Sequence, residues 1–434
     1  MHTTVARVVA FTYIQSLPAR LLEFLGPDLL IASREATSVS ADYCRHRNKA
    51  LRQYSSHGAE QQMLTPTERK AAKPEIAGSK APKVTVVVLN FNGGKTLERC
   101  IQSVLDQSYS NFDLVVVDNA STDGSIDLLT RFASRIRVVR NRSNLGYTGG
   151  MNVGARHASE DAELIGFVTP DTALSDGWLQ RMVDTVVADP QAAAVSSNVY
   201  DESKKASLSL LRILYPSGQY YVPLNVTLGI SEVDFPSGEA FLIRKPVFRR
   251  LGGFDEGYFA YYEDGDLGWR LRLAGMKVLF DPEAVVRHKR SSAFATIPLA
   301  YRVYLLERNR IMTCLKNFGA LSLLAFLMAE ALMLLFHSTR SVTGRDHDQV
   351  SKAYAKALLH VVKNFGPIHT KRRLVQTTRK RSDRYVFRNS LPVSVIGRPG
   401  LVIAYSPRYR KRESWYLAAL HVLSTVLPPS NSLR

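Results

Sequence analysis

The feature that most restricts the fold of this chain is a series of β-branched runs, each stopped by a polar turn and followed by apolar residues at helical spacing. Val84-Thr-Val-Val-Val-Leu-Asn90 is apolar without alternation, as a parallel strand covered on both faces would be. It ends in the turn Asn90-Phe91-Asn92-Gly93-Gly94, after which Leu97, Ile101, Val104 and Leu105 mark one helix face. Phe112 to Val117 is a second such strand, stopping at Asp118, and a helix follows through Ile126, Leu129 and Phe132. Ile136 to Val139, Ile165 to Val168 and Ala193 to Val195 read as further strands, and Trp178 to Val187 as a helix. The alternation predicts an α/β fold with a mainly parallel central sheet that gathers ligands at the strands' carboxyl ends.

Several polar residues fall at those ends. Asp118 can recognise a base or ribose by hydrogen bonding, or it can close an Asx turn. In Asn144-Leu145-Gly146-Tyr147-Thr148-Gly149-Gly150-Met151-Asn152, small residues let backbone approach a ligand before a helix begins. Thr169-Pro170-Asp171 breaks the fourth strand and leaves Asp171 where a metal-diphosphate ligand is useful. Glu263, Asp264 and Asp266 place three carboxylates within four residues at a helix start, whose positive end holds carboxylates ionised. An ionised carboxylate at a cleft mouth can serve as a general base; the plainer role is to cap and solubilise the helix. Gly238-Glu239 lies between two short strands, with Glu239 reaching either a sugar or solvent, while Trp269 and Leu273 share a packing face.

The chain has 434 residues, 45% of them hydrophobic, enough for one large domain with extensions. Its formal charge of +19 favours an anionic partner: nucleic acid, an acidic membrane surface or a phosphorylated ligand. Cys44, Cys100 and Cys314 are far apart and form neither a disulfide framework nor a zinc motif, as expected in a reducing compartment. Leu21 to Ile31 can form the apolar side of a short helix, and Ser33 to Lys83 reads as a basic linker. Gly319 to Phe336 is nearly continuously apolar but contains Glu330, so a helix lying in the membrane interface is favoured over a span or a buried helix. The clusters Lys371-Arg372-Arg373 and Arg379-Lys380-Arg381 suit anionic lipid on a cytoplasmic face, and Trp415 to Leu427 offers a second interfacial contact. The expected divisions are 1–80, a helical and linker extension; 81–310, the catalytic domain; 311–338, a membrane-associating helix; and 339–434, a basic extension.

In order, VVVLNFNGG, VVVDNASTDGS, NLGYTGGMN, FVTPD, the stretch from Pro236 to Gly275 and VVRHKRSSA resemble the family 2 glycosyltransferases of GT-A fold, in particular their rhamnosyltransferase-like branch. The resemblance spans Lys83 to Ala293. It implies inverting transfer of a sugar, rhamnose in that branch, from a nucleotide-diphosphate donor to a lipid-linked or saccharide acceptor in surface-glycan synthesis. By the family pattern Asp264 is the base and Glu263 orients the acceptor. Asp118 contacts the nucleoside, with Asn90, Asn92, Asn144, Gly146 and Asn152 beside the donor pocket. Asp171 and His288 hold Mg²⁺ or Mn²⁺, weakly without donor, because Thr169-Pro170-Asp171 keeps only the last acid of the usual Asp-x-Asp. Two other readings fit the sequence: a non-catalytic nucleotide-sugar-binding protein of the same fold, and a basic nucleic-acid-binding protein, which lacks any recognised module here.

Overall fold

The computed structural model describes residues 81–203, 205–207, 213–214, 218, 220–221, 229–289, 297–342 and 349–387. The expected N-terminal helix, most of the linker and the segment Trp415 to Leu427 lie outside the described residues.

The strands β1 (Val84–Asn90), β2 (Phe112–Asp118), β3 (Arg137–Arg140) and β4 (Leu164–Val168) pair in parallel in the order β3-β2-β1-β4. Their connections carry α1 (Gly94–Leu105), α2 (Ser125–Thr130) and α3 (Gly146–Arg156). Every residue of β1 is buried, which explains why its sequence does not alternate. Val84, Val86 and Val88 pack with Leu97, Ile101 and Val104 of α1 in one core, while Val87 and Leu89 point the other way, toward Met151 and Val153 of α3.

The chain continues through β5 (Thr172–Leu174), α4 (Trp178–Ala188), β6 (Ala192–Asp201) and the short strands β7 (Ala206–Ser207), β8 (Ile213–Leu214) and β9 (Tyr220–Tyr221). Next come β10 (Ser231–Val233), β11 (Ala240–Arg244), α5 (Lys245–Arg250), α6 (Glu263–Leu273) and β12 (Lys277–His288). The sheet runs β10-β12-β6-β11-β4-β1-β2-β3. Only β11 interrupts the parallel run from β12 to β3, lying antiparallel between β4 and β6. One edge of the sheet therefore collects the ends of β1, β2, β4 and β12 together with the start of β11.

All of α6 is buried, because it is covered from two sides. Leu267 and Leu271 join the core beneath the sheet, while Trp269 and Leu273 join a third core with Ile311, Phe318 and Phe326. That third core is built by α7 (Leu299–Asn317), α8 (Ala320–Val342), α9 (Gln349–Lys363), α10 (Phe365–Thr378) and α11 (Asp383–Val386). The division expected at residue 310 falls inside α7, and the described residues all belong to one compact unit.

The apolar run of the sequence forms α8. It buries Ala325, Phe326, Ala329 and Glu330 and exposes Leu321, Leu324, Leu327 and Met328. Glu330 accepts from Arg310 Nη2 at 2.6 Å, so its charge is met by α7. Among the described residues, no helix is long and apolar enough to cross a membrane. The basic clusters are partly internal. Arg372 Nη1 donates to Leu315 O and Phe318 O, both at 2.7 Å, and Arg379 Nη2 donates to Asn317 O. These guanidinium groups satisfy carbonyls that the end of α7 leaves without helical partners. Arg373 and Lys380 stay exposed.

Candidate active site

The ends of β1 and β2 are joined by side chains. Asn90 and Asp118 are register partners, and Asn90 Nδ2 donates to Asp118 Oδ1 and to Ser121 Oγ, both at 2.9 Å. Asp118 Oδ2 accepts from Ser121 N at 3.2 Å, so the turn anticipated for this aspartate is made while the residue is buried at the strand end. Asn92 has positive φ and accepts from Thr122 N at 2.8 Å. Asn119, which sequence reasoning passed over, links this turn to the next. Its Nδ2 donates to Asn144 Oδ1 and Gly146 O at 2.9 Å, and its Oδ1 accepts from Asn141 Nδ2 and Leu145 N at 2.8 and 3.2 Å. The signal was present as a second amide directly after Asp118.

Helix α3 begins at Gly146 itself, earlier in the glycine-rich stretch than expected, and its glycines make room for neighbouring protein. A β-carbon at Gly146 would lie 2.3 Å from Phe259 O, and φ there is +70°. Gly150 and Gly154 let α3 press onto Leu89 and Val87 of β1. Asn152 points away from the strand ends, with Nδ2 donating to Phe254 O and Oδ1 accepting from Phe254 N, both at 2.9 Å.

At the end of β4 the chain turns through Thr169-Pro170-Asp171 into β5, which pairs with the last residues of β12. That pairing brings His288 Nε2 within 3.2 Å of Asp171 Oδ2, with both residues buried. Two adjacent ligands of an octahedral Mg²⁺ would stand about 3 Å apart, given bonds near 2.1 Å, so the pair fits such a cation. Among the described residues no group of three or more His, Cys, Asp or Glu is arranged to hold a metal, so a cation on this pair would need further ligands from elsewhere.

The acid cluster divides by environment. Asp266 is fully buried; burial opposes its charge, but Lys316 and Arg270, with nitrogens at 3.0 and 2.9 Å, hold it below the ordinary carboxylate range. Glu263 and Asp264 instead face Gly238 at the start of β11, where a β-carbon would lie 3.4 Å from Asp264 Oδ2 and 3.8 Å from Glu263 Oε1. Glu239 O accepts from Thr169 N at 2.9 Å, joining this strand to the Asp171 turn. Ser237 Oγ donates to Glu239 at 2.5 Å, and Tyr147 Oη donates to Gly238 O at 2.8 Å. Burial, then the Asp264 carboxylate, push Glu263 well above its usual value, and its Oε2 is buried without a hydrogen-bond partner among the described residues. The expectation of uniformly ionised acids at the helix start is thus corrected for Glu263: desolvation outweighs the helix dipole.

The loop before α6 is strained. Phe259, Tyr261 and Tyr262 all have positive φ, at 66°, 70° and 71°. It is held from α7: Asn309 Nδ2 donates to Ala260 O and Tyr261 O, and Arg308 Nη2 to Tyr258 O.

The strand ends of this α/β sheet thus carry an amide-rich turn, an aspartate-histidine pair and a paired acid facing a glycine. The chain matches, over residues 85–252, the family model for glycosyl transferase family 2. It is 28% identical over 242 residues to an N-acetylglucosaminyl-diphospho-decaprenol L-rhamnosyltransferase of Mycobacterium tuberculosis, covering 50% of this chain and 79% of that one. It is 23% identical over 216 residues to a poly-beta-1,6-N-acetyl-D-glucosamine synthase of Staphylococcus aureus, covering 49% and 51%. The solved structure of GalNAc-T7 with UDP, GalNAc and Mn²⁺ is similar at a TM-score of 0.48 and 16% identity, over 67% of this chain and 58% of that one.

Proposed function

We propose that the protein is an inverting glycosyltransferase that moves rhamnose from a nucleotide-diphosphate donor to a lipid-linked saccharide in surface-glycan assembly. The observation that carries this reading is the placement of Asp264 against Gly238, which leaves an acceptor hydroxyl room beside a carboxylate. Asp264 takes the hydroxyl proton as the oxygen bonds to the anomeric carbon, and the bond from that carbon to the diphosphate breaks on the opposite face. Glu263, holding a proton, donates a hydrogen bond that orients the acceptor and keeps the negative charge on Asp264. Asp118, Asn90 and Asn92 bind the nucleoside side, with Asn119 and Asn144 bracing the pocket. Asp171 and His288 would hold Mg²⁺ or Mn²⁺, which would supply positive charge against the leaving diphosphate. The named activity of the mycobacterial relative supports the rhamnosyl donor and lipid-linked acceptor.

The same reading places the enzyme on the cytoplasmic face of the membrane, with the exposed leucines of α8 against anionic lipid. Release of nucleoside diphosphate from a panel of nucleotide sugars, with Mn²⁺ or with chelator, tests the assignment. Turnover of dTDP-rhamnose that stops on chelation is expected; an inert dTDP-rhamnose removes the donor. Flotation with anionic vesicles tests the location, which fails if Leu324→Lys with Met328→Lys leaves binding unchanged.

A further inference from the structure

A cavity of about 780 Å³ opens between the second half of α3, the 251–256 loop and α10. It is separate from the acid pair. Its Arg270 lies six residues beyond Asp264 on α6, about 9 Å along the axis. On α3 it is lined by Asn152 and Arg156, beyond the tyrosine that reaches Gly238. Asn152, whose side chain clamps Phe254 N and O, therefore builds the wall of this cavity.

Five cations line the cavity, Arg156, Arg249, Arg270, Lys316 and Lys371, against two carboxylates, Asp255 and Glu256. Asp255 is shared by Lys316, at 2.5 Å, and Lys371, while Glu256 lies 3.4 Å from Arg156. Arg270 is only 6% exposed. Its Nε donates to Asp266 and its Nη1 to Leu251 O and Gly253 O, at 2.9, 2.9 and 2.8 Å. Its Nη2 is buried and has no hydrogen-bond partner among the described residues. A guanidinium N–H buried without an acceptor is costly, and its planar fork matches an oxyanion. The remaining wall, including Phe248, Leu251, Phe254 and Val375, is apolar.

We propose that this cavity binds a phosphate monoester with an apolar body, its oxyanion on Arg270 Nη2 and its apolar part against the phenylalanines. The surplus of cations suits a dianion, and the apolar wall favours an ester over inorganic phosphate. The ester is either a lipid headgroup or a soluble metabolite. Arg270 and Lys316 both also grip Asp266 on α6.

Isothermal titration calorimetry of the full chain with n-butyl phosphate, inorganic phosphate and butyrate tests this. Saturable binding of n-butyl phosphate is expected, at least tenfold tighter than either other probe. Arg270→Lys and Lys371→Gln should each weaken it at least tenfold, and Asp264→Asn should leave it unchanged. Lys371 is 42% exposed, so its variant keeps the test usable if Arg270→Lys fails to fold. Displacement of butyl phosphate by phosphatidic acid vesicles, but not by phosphatidylcholine vesicles, supports a lipid source; no displacement supports a soluble ester. The proposal is overturned if no saturable heat appears, if butyrate binds as tightly, or if Lys371→Gln changes nothing. Loss of turnover in Asp264→Asn with this binding intact separates the cavity from the transferase reading.

Discussion

Asn309 on α7 and Tyr261 in the loop before α6 are joined by a hydrogen bond of 2.7 Å from Nδ2 to the backbone carbonyl, and the same amide reaches Ala260 O at 2.8 Å. A helix outside the stretch that resembles the family thus fixes the strained approach to the acid pair. Asn309→Ala leaves those carbonyls short of a donor and should cost about 1–3 kcal/mol of stability. With the loop released, turnover should fall more than donor affinity does. Denaturant melts alongside steady-state kinetics check this; unchanged turnover in a destabilised protein would mean that the clamp serves folding alone.

The raised proton affinity of Glu263 has a pH signature. Its folded value lies well above the ordinary 4.5, so the native state holds a proton that the unfolded chain releases. The stability this contributes is complete below about 4.5 and declines as pH rises from there through the folded value. Glu263→Gln keeps the hydrogen-bonding shape without the titration. It should match the parent in acid and be the more stable of the two at neutral and higher pH. Melting temperatures of both proteins from pH 4 to 9 decide it, and parallel curves would sink the assignment.

The sheet was legible because β1 and β2 are buried on both faces, and only unbroken β-branched runs satisfy that burial. The acid cluster was visible as well, but its division was not. Asp266 differs from its neighbours through Lys316 and Asn317, which lie fifty residues further on in the sequence. On α7, Arg308, Asn309, Lys316 and Asn317 are buried, each bonded to the loop or helix in front of it. Periodicity reports apolar faces, so a buried polar seam escapes it. The internal part of the basic clusters escaped for a related reason: Arg372 and Arg379 donate to carbonyls at the end of α7.

Asp266→Asn separates the structural acid from the chemical pair. It leaves Lys316 and Arg270 with one fewer buried counter-charge and should destabilise the fold by about 3–5 kcal/mol. Asp264→Asn should leave the melt close to that of the parent and lower turnover by orders of magnitude with donor binding intact. Comparable melts for the two variants would show that the three acids had been sorted wrongly.

Gly238 is the position where space and chemistry can be told apart. The β-carbon of an alanine would sit in ordinary contact with Asp264 Oδ2 at 3.4 Å, and this glycine has no positive φ to lose. Gly238→Ala should therefore fold with unchanged stability or gain up to about 1 kcal/mol. The added methyl nonetheless occupies the face of Asp264 where the acceptor hydroxyl has to stand. A loss near 1.4 kcal/mol of transition-state stabilisation, about tenfold in kcat/KM for acceptor, is expected, with donor affinity unaltered. Because the fold is preserved, full activity in this variant cannot be blamed on misfolding, and it would show that the hydroxyl approaches from another side.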